Sequence, residues 1–279
     1  MPELPEVEIT ARLLSEALAG VSVESVRVAG IATLKSFEPP IDSLVGRGIA
    51  NIGRRGKQLI VTFEDDLHLL IHLMSAGRLQ VYEKQAGFKD RTSRLVIGLD
   101  GGRELRLREF GTHQASWAKL VTGQDLRSEL SHLGPEAWPD PPDFGPLFDS
   151  ARPLHGSLRD QHLVAGIGRS WVDEILHAAK LSPFKRGESL SAEEAVVLRA
   201  QTIEILGGAI AHYEATLALP IPDKLPMPLK IHRQEGKACP RCEETIAAVH
   251  FESYIMCYCP QCQTEGKVLK DRRLSRLLK

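Results

Sequence analysis

The chain has no cysteine before position 239 and no clear excess of charge of either sign. It also has no apolar run near the roughly 18 residues of a membrane span. The first absence leaves no place for a disulfide framework across most of the chain. The missing apolar run argues against a membrane helix, the acidic N-terminus is unlike a signal peptide, and the chain is read as cytosolic. Net charge is −1, from 35 basic and 36 acidic residues, so overall charge does not point to nucleic acid. No Ser-His-Asp order, zinc-protease signature or dinucleotide fingerprint is present. The stretch "GRRGKQL" (53–59) lacks the spacing and the following Ser/Thr of a phosphate loop. It leaves Arg54, Arg55 and Lys57 as a basic cluster where a strand begins. No internal repeat or low-complexity segment appears.

What is there begins with the cysteines. Four of the five form Cys239-Pro-Arg-Cys242 and Cys259-Pro-Gln-Cys262, with 16 residues between the pairs. Thiolates two residues apart on a tight turn can both reach one tetrahedral Zn²⁺, and two such knuckles close a four-sulfur site. Closed sites of this kind hold a fold together and leave no position for chemistry. Cys257 reads as a strand residue of the hairpin between the knuckles. The final "KVLKDRRLSRLLK" (267–279) has six basic residues and one acid, which fits a solvated charge run as well as a phosphate contact.

The 279 residues, 43% hydrophobic and 25% charged, allow two globular domains with a core each. After "PELPEVE" (2–8), Val7, Ala11, Leu14 and Leu18 recur at helical spacing, with Pro5 suited to a first turn and Gly20 to a stop. Pro2 and Glu3 precede that helix and are not explained by it. Strands follow to about residue 122 in "VSVESVRVAG", "QLIVTF", "LHLLIHL", "RLQVYE", "SRLVIGLD" and "ELRLREF". The phase slip at Glu24-Ser25 is of the kind a bulge produces, and Asp100-Gly101 signals a hairpin. "GPEAWPDPPDFGPLFDS" (134–150) reads as an extended, semi-rigid linker. Beyond it the pattern is helical, and Ser157…Asp160, Ser170…Asp173 and Ser191…Glu194 match the capping-box spacing. Between the first two, "VAGIGRS" breaks a helix with Gly166 and Gly168. This is a geometry for gripping a phosphate with backbone N–H groups, although an ordinary helical hairpin is the plainer reading of the motif alone. The expectation is an α+β chain of two domains. Residues 1–133 form a β-sandwich or barrel-like unit with a flanking helix, 134–150 the linker, 151–231 a helical domain and 232–279 a zinc finger.

Taken in order, "PELPEVE", "RRGK", "HL…GRL", "R-x-FG", "DQ..VAGIG…DEIL" and the terminal Cys₄ hairpin resemble the formamidopyrimidine-DNA glycosylase/endonuclease VIII family over essentially the whole chain. The resemblance implies a helix-two-turn-helix domain, one structural Zn²⁺, and a monomer acting on double-stranded DNA that carries a damaged base or an abasic site. It implies that Met1 is removed and that the Pro2 amine is the nucleophile. A free α-amino group has a pKa of roughly 7.7–8.0, so part of it is unprotonated near neutrality. Glu3 is implied as general acid/base, Glu6 as its support, and Lys57 as a phosphate grip that assists β-elimination. His72, Gly166, Gly168, Arg169 and the zinc hairpin are implied contacts to phosphates. The flipped nucleotide's place is filled in the family by a methionine, an arginine and a phenylalanine, the last two matching Arg108 and Phe110.

Several positions depart from the family. The methionine position falls on Ser75, with Met74 one residue early and on the opposite face if the strand is regular. Arg169 stands where the family has asparagine. Tyr254 stands for an arginine associated with the second, δ-elimination, which puts that step in question. Glu109 replaces a basic residue beside the wedge. The segment 217–230 has no glycine-rich loop, which favours ring-opened purines or oxidised pyrimidines over 8-oxoguanine. Two other readings remain: a damaged-DNA or abasic-site binding protein of the same fold with little excision, and a zinc-ribbon interaction protein. The joint presence of Pro2, Glu3, Glu6 and Lys57 argues for chemistry.

Overall fold

The first helix forms where the prolines and carboxylates place it. α1 (Leu4–Leu18) has Pro5 in its first turn and is opened by a capping box between Glu3 and Glu6. In one half of that box the Glu3 backbone N–H donates to Glu6 Oε2 at 2.8 Å. Val7, Ala11, Leu14 and Leu18 are buried on one stripe, and Gly20 follows with φ 79°. This computed structural model describes residues 2–30, 32–112 and 114–269. Met1 and residues 270–279, which carry the question of initiator removal and most of the basic tail, lie outside the described residues.

The chain divides into two compact units, one of residues 1–132 with 210–226, the other of 133–209 with 227–279. The first unit is a sandwich of two four-stranded antiparallel sheets. One consists of β1 (Val23–Val28), β6 (Ser93–Leu99), β7 (Arg103–Glu109) and β5 (Gly77–Tyr82) in that spatial order. The other consists of β2 (Ile49–Arg55), β3 (Gln58–Phe63), β4 (Leu67–His72) and β8 (Trp117–Thr122). Leu59, Val61, Leu69 and Ile71 from one sheet meet Leu79, Leu95, Leu105 and Leu107 from the other, with Val7 and Leu14 of α1, in one core. A register shift between Val23 and Ser25 is the expected bulge. β2 and β8 were not among the strands read from sequence, because "IANIGRR" and "WAKLVT" alternate weakly. α2 (Gly123–Leu130) follows β8, capped by the Thr122 side chain.

"HL…GRL" is not one strand but two joined by a tight turn. β4 ends at His72, β5 begins at Gly77, and the Gly77 N–H donates to the Leu73 carbonyl at 2.7 Å. Met74 sits in the turn with φ 49°, so alternation along a regular strand does not set its direction. Gly77 is required sterically: a Cβ there would collide with the Leu73 carbonyl oxygen.

The polar face of β5 and β7 is covered rather than solvated. Glu104 is buried, accepts the N–H groups of Ala86 and Gly87 at 2.9 and 3.1 Å, and pairs with Arg106 at 2.7 Å. Segment 217–226 adds Ile221 and Leu225 to the buried core cluster, and Gln80 donates to the Ile221 carbonyl and to Asp223 Oδ1.

In the second unit the proline-rich stretch is packed and is not an extended linker. Ala137 and Ala165 exchange backbone bonds with the facing segment, and α3 (Phe144–Leu147) stacks buried Phe144 on Phe148 at 4.9 Å. Apolar side chains inside the stretch drive this packing despite its prolines. Next come α4 (Leu154–Ser157), α5 (Arg169–Ala178) and α6 (Ala192–Thr216), whose residues from Ile210 belong to the first unit. Only the last of the three capping boxes forms: Ser191 N–H donates to Glu194 Oε2 at 2.9 Å, and Glu194 N–H to Ser191 Oγ at 3.2 Å. Ser157 ends α4, and α5 is capped by Gly168, not by Ser170. Asp160 instead pairs with Arg152 at 2.5 Å, and Asp173 turns inward to the His232 ring at 2.6 Å. β9 (Ala247–His250) and β10 (Ile255–Tyr258) form the C-terminal hairpin, followed by the short α7 (Pro260–Thr264).

Replacing Gly77 with alanine is expected to destabilise the first unit by about 1–3 kcal/mol, since the blocking atom is backbone and cannot swing away. Gly53→Ala, where nothing lies within 4 Å of the added carbon, is the control and should change stability by less than about 0.5 kcal/mol. Urea unfolding of both variants checks the pair.

Candidate active site and nucleic-acid interface

Pro2 is buried directly ahead of α1, and Glu3 and Glu6 are each 1% exposed. The Glu6 carboxylate is held from two sides. Oε2 takes the Glu3 N–H, and Oε1 takes the hydroxyl of Tyr213 at 2.8 Å. Tyr213 is itself fully buried. Burial, the Glu6 charge and hydrogen bond, and the nearby Glu3 charge all raise its phenol far above the ordinary value, with Arg78 opposing. It therefore remains a donor throughout the working pH range. Arg78 is the other group facing this cluster. Burial pulls its pKa down, the charges of Glu6, Asp223 and Tyr213 pull it up, and its Nε is buried without a partner. Tyr213 and Arg78 were not among the residues singled out from sequence. No motif links a tyrosine late in α6 to a carboxylate at position 6.

Lys57 occupies the two-residue turn between β2 and β3, after Gly56 with φ 55°. Of its basic neighbours, Arg54 is tied to Glu8 of α1 at 2.6 Å, which fastens this hairpin to the helix bearing Glu3 and Glu6. His72, on the adjacent strand opposite Gln58, stacks on Trp117 at 5.8 Å. Burial, and secondarily the Lys57 charge, lower its pKa to about 4. His72 Nδ1 accepts the Met74 N–H at 2.9 Å, so the neutral ring carries its proton on Nε2. Ser75 is exposed at the tip of the same turn.

Arg108 is engaged from several sides. Its Nε donates to Asp90 Oδ2 at 2.6 Å and Thr92 Oγ1 at 3.0 Å. One terminal nitrogen reaches Gln80 Oε1 at 3.0 Å, Tyr82 Oη at 2.7 Å and Asp223 Oδ1 at 2.8 Å. Phe110, 38% exposed, lies 4.7 Å from its guanidinium carbon. Glu109 is buried. It accepts the N–H groups of Ala115 and Ser116 at 2.8 and 3.1 Å and the Ser116 hydroxyl at 3.0 Å, so it fastens the loop after β7 and does not flank the phenylalanine outside.

In the second unit the glycine turn is built around Gln161. Its Oε1 accepts the Gly166 N–H at 2.9 Å and its Nε2 donates to the Ile167 carbonyl at 2.9 Å. Gly166 has φ 112°, and Gly168 opens α5 with Arg169 as the first helical residue. Tyr254, in the β9–β10 turn, stacks on Phe251 at 4.4 Å and His155 at 5.9 Å. The guanidinium carbons of Arg159 and Arg169 lie 4.4 and 5.1 Å from its ring centroid, and Arg169 also donates to the Ser253 carbonyl at 2.6 Å. Arg159 was missed from sequence; it is one arginine among many until the fold brings it to Tyr254. Behind this group, α5 uses Glu174 to accept the N–H groups of Lys230, Ile231 and His232 at 3.2, 2.8 and 2.9 Å.

Cys239, Cys242, Cys259 and Cys262 offer four sulfurs within 4.8 Å of one another, a set that can hold a metal ion. The pairs 242–259 and 239–262 are 3.4 and 3.9 Å apart, close to the roughly 3.8 Å edge of a tetrahedron with metal–sulfur bonds of about 2.3 Å. Cys257 lies in β10, buried and outside the cluster, and burial raises its thiol to about 11. Among the described residues no helix is long and apolar enough to cross a membrane.

Known proteins share this arrangement. The model of the formamidopyrimidine-DNA glycosylase N-terminal domain matches residues 1–113, and that of the same enzyme's H2TH domain matches 144–219. A formamidopyrimidine-DNA glycosylase of Desulforamulus reducens is 31% identical over 94% of this chain and 99% of its own length, and one of Moorella thermoacetica is 34% identical over 89% and 94%. Among solved structures, the Lactococcus lactis Fpg (MutM) bound to DNA containing N7-benzyl-Fapy-dG has a TM-score of 0.84 at 27% identity. It covers 94% of this chain and 100% of that one. The MutM (Fpg) protein of Thermus thermophilus has a TM-score of 0.80 at 31% identity, covering 95% and 100%. The β-sandwich, the H2TH unit and the cysteine hairpin are thus those of a DNA glycosylase of base excision repair. Within that class, the chain belongs to the formamidopyrimidine-DNA glycosylase family.

The His72 imidazole is expected to titrate near pH 4 in the folded protein. Its folded pKa lies below the unfolded value of roughly 6.5, so its contribution to stability is present above about pH 6.5 and is lost as pH falls toward 4. An NMR titration of the ring, with His72→Phe flattening that part of the stability profile, checks both. A midpoint of 6 or higher would contradict a buried neutral donor.

Proposed function

We propose that this protein removes a damaged base from duplex DNA and nicks the strand by β-elimination, as a bifunctional glycosylase/AP lyase using the Pro2 amine. The observation that carries the reading is Pro2-Glu3 standing immediately ahead of a helix whose Glu6 is gripped by both Glu3 N–H and Tyr213. Once Met1 is removed, the chain terminus is a secondary amine held at a fixed point. Its nitrogen attacks C1′ as the C1′–N bond to the base breaks, and the base leaves with the electron pair and takes up a proton. Glu3 exchanges a proton with the sugar ring oxygen or the amine, and the ring opens to an iminium. The iminium acidifies C2′; loss of that proton expels the 3′ phosphate, and water then releases Pro2. Lys57 and His72, through its Nε2–H, donate to flanking phosphates.

In this reading the flipped nucleotide's place is taken by Phe110 and by the 74–75 turn, with Met74 and Ser75 at its tip. Arg108 joins only after leaving Asp90 and Asp223. Gly168 and Arg169 present donors to the backbone of the damaged strand, Gly166 shapes the turn that places them with its own N–H held by Gln161, and Tyr254 contributes as the platform on which Arg159 and Arg169 rest. Those two guanidiniums supply the charge that a tyrosine lacks. The four cysteines would hold one Zn²⁺, which supplies a structural crosslink and no step of the reaction. The segment 217–226, anchored through Ile221, Leu225 and Asp223, is not a free glycine-rich cap. This favours ring-opened purines or oxidised pyrimidines over 8-oxoguanine. We further propose a monomer acting in the bacterial cytosol.

Borohydride trapping tests the nucleophile. The wild-type protein should crosslink permanently to abasic-site duplex, and Pro2→Gly should lose most of the crosslink; an undiminished crosslink in that variant would sink the assignment. Arg159→Ala is expected to weaken binding evenly across sequences and to reduce the slope of log K against log salt by about 1. An unchanged slope would remove Arg159 from the interface.

A further inference from the structure

Among the described residues, a histidine side chain lies against one sulfur of the cysteine cluster. His177, in the last turn of α5, is buried, and its Nε2 lies 3.2 Å from Sγ of Cys239. The knuckle carrying Cys239 is docked on that same helix end. Arg241, between Cys239 and Cys242, donates to the carbonyls of His177 and Ala178 at 2.8 and 3.2 Å, where the helix dipole favours a cation. The second knuckle is tied nearby, since Gln263 of α7 donates to the Leu181 carbonyl at 2.9 Å. α5 therefore has the glycine turn at its first residue and the cysteine knuckle at its last turn.

We propose that His177 is a positioning residue for the metal, donating its Nε2–H to the Cys239 thiolate. The proposal rests on the four-cysteine metal reading given above. A metal-bound thiolate has no proton and can only accept, so the proton of this contact belongs to the imidazole. Four thiolates around one divalent ion carry a net charge of −2 in a partly buried place, and each donor aimed at a sulfur spreads that charge. A thiolate so held is a weaker base and a less mobile ligand, so it is protonated and released less readily. Cys239 is the ligand that benefits, being the buried one of its knuckle. A phenylalanine would fill the same space without the hydrogen bond, so packing alone does not account for an imidazole nitrogen at this distance from the sulfur.

The test uses the full chain loaded with Zn²⁺ and a chromophoric chelator in excess. His177→Phe keeps the ring volume and removes the donor, while His177→Gln keeps an N–H donor. Zinc release from the Phe variant is expected to be at least about 10-fold faster than from wild type, with Gln within about threefold of wild type. In the Co²⁺-substituted protein the Phe variant should move the sulfur-to-metal charge-transfer band to longer wavelength, leaving the ligand-field bands those of a four-sulfur site. Release from Phe at the wild-type rate overturns the proposal. Equally fast release from Phe and Gln overturns it in favour of packing, and ligand-field bands showing loss of a nitrogen ligand overturn it in favour of direct coordination. A wild-type chain that takes up no metal defeats the four-cysteine reading itself, and the proposal with it.

Discussion

The Glu6 carboxylate is the constraint around which the first unit's chemistry is arranged. It is almost fully buried, a position that costs several kcal/mol unless the charge is well solvated by donors. One of those donors is the backbone N–H of Glu3, which fixes the chain two residues from its start. Another is the Tyr213 hydroxyl, a bond to a charged group worth about 1.5–3 kcal/mol. The backbone just ahead of α1 is held by a buried charge that needs it. The same carboxylate that satisfies a helix cap thus keeps the proposed nucleophile in one place.

A second set of charges, half-buried to exposed, lies on the outer face of the β5–β7 sheet. Arg78 and Arg108 stand opposite each other on adjacent antiparallel strands, a like-charge pairing that is unfavourable by itself. Asp223 bonds directly to Arg108, and its charge also supports Arg78. Segment 217–226 is therefore held by electrostatics as well as by Ile221 and Leu225 in the core. Any rearrangement that frees Arg108 must break contacts to Asp90, Asp223, Gln80 and Tyr82 together. Under the proposed function, that makes the arginine an expensive wedge and leaves Phe110 the readier one.

In the second unit α5 carries the comparable load. Gly168 and Arg169 open it, Asp173 and Glu174 turn inward to fasten residues 230–232 and β10, and His177 and Arg241 join its end to the cysteine knuckle. A ten-residue helix would be marginal alone in water, and its stability comes from these attachments. Tyr254 gathers positive charge without carrying any. A tyrosine has no charge, but its face holds two guanidiniums, so positive charge reaches the same turn from α5 and from the segment before it.

What could be read from sequence was local in the chain. The capping box at Ser191 and Glu194 depends on a spacing of three residues, the knuckles on two, the Glu24 bulge on a phase slip, and the hairpins on their turn residues. These features are set by short-range geometry, which a string of letters preserves. The same local logic failed for Ser157 and Ser170, where Asp160 and Asp173 found other partners, and for the prolines of 134–150, which packing overrode. It also failed for "HL…GRL", where a glycine that tolerates no Cβ turned a strand into a turn. Only the tertiary structure decided that Tyr213 bonds Glu6 across 207 residues, that Asp223 meets Arg108, that Arg159 lies on Tyr254 and that His177 faces Cys239. The first and last of these pair a buried polar group with a partner far away in the chain, and the other two join half-buried or exposed side chains. Burial makes the partner obligatory, and nothing in the local sequence says which one it will be.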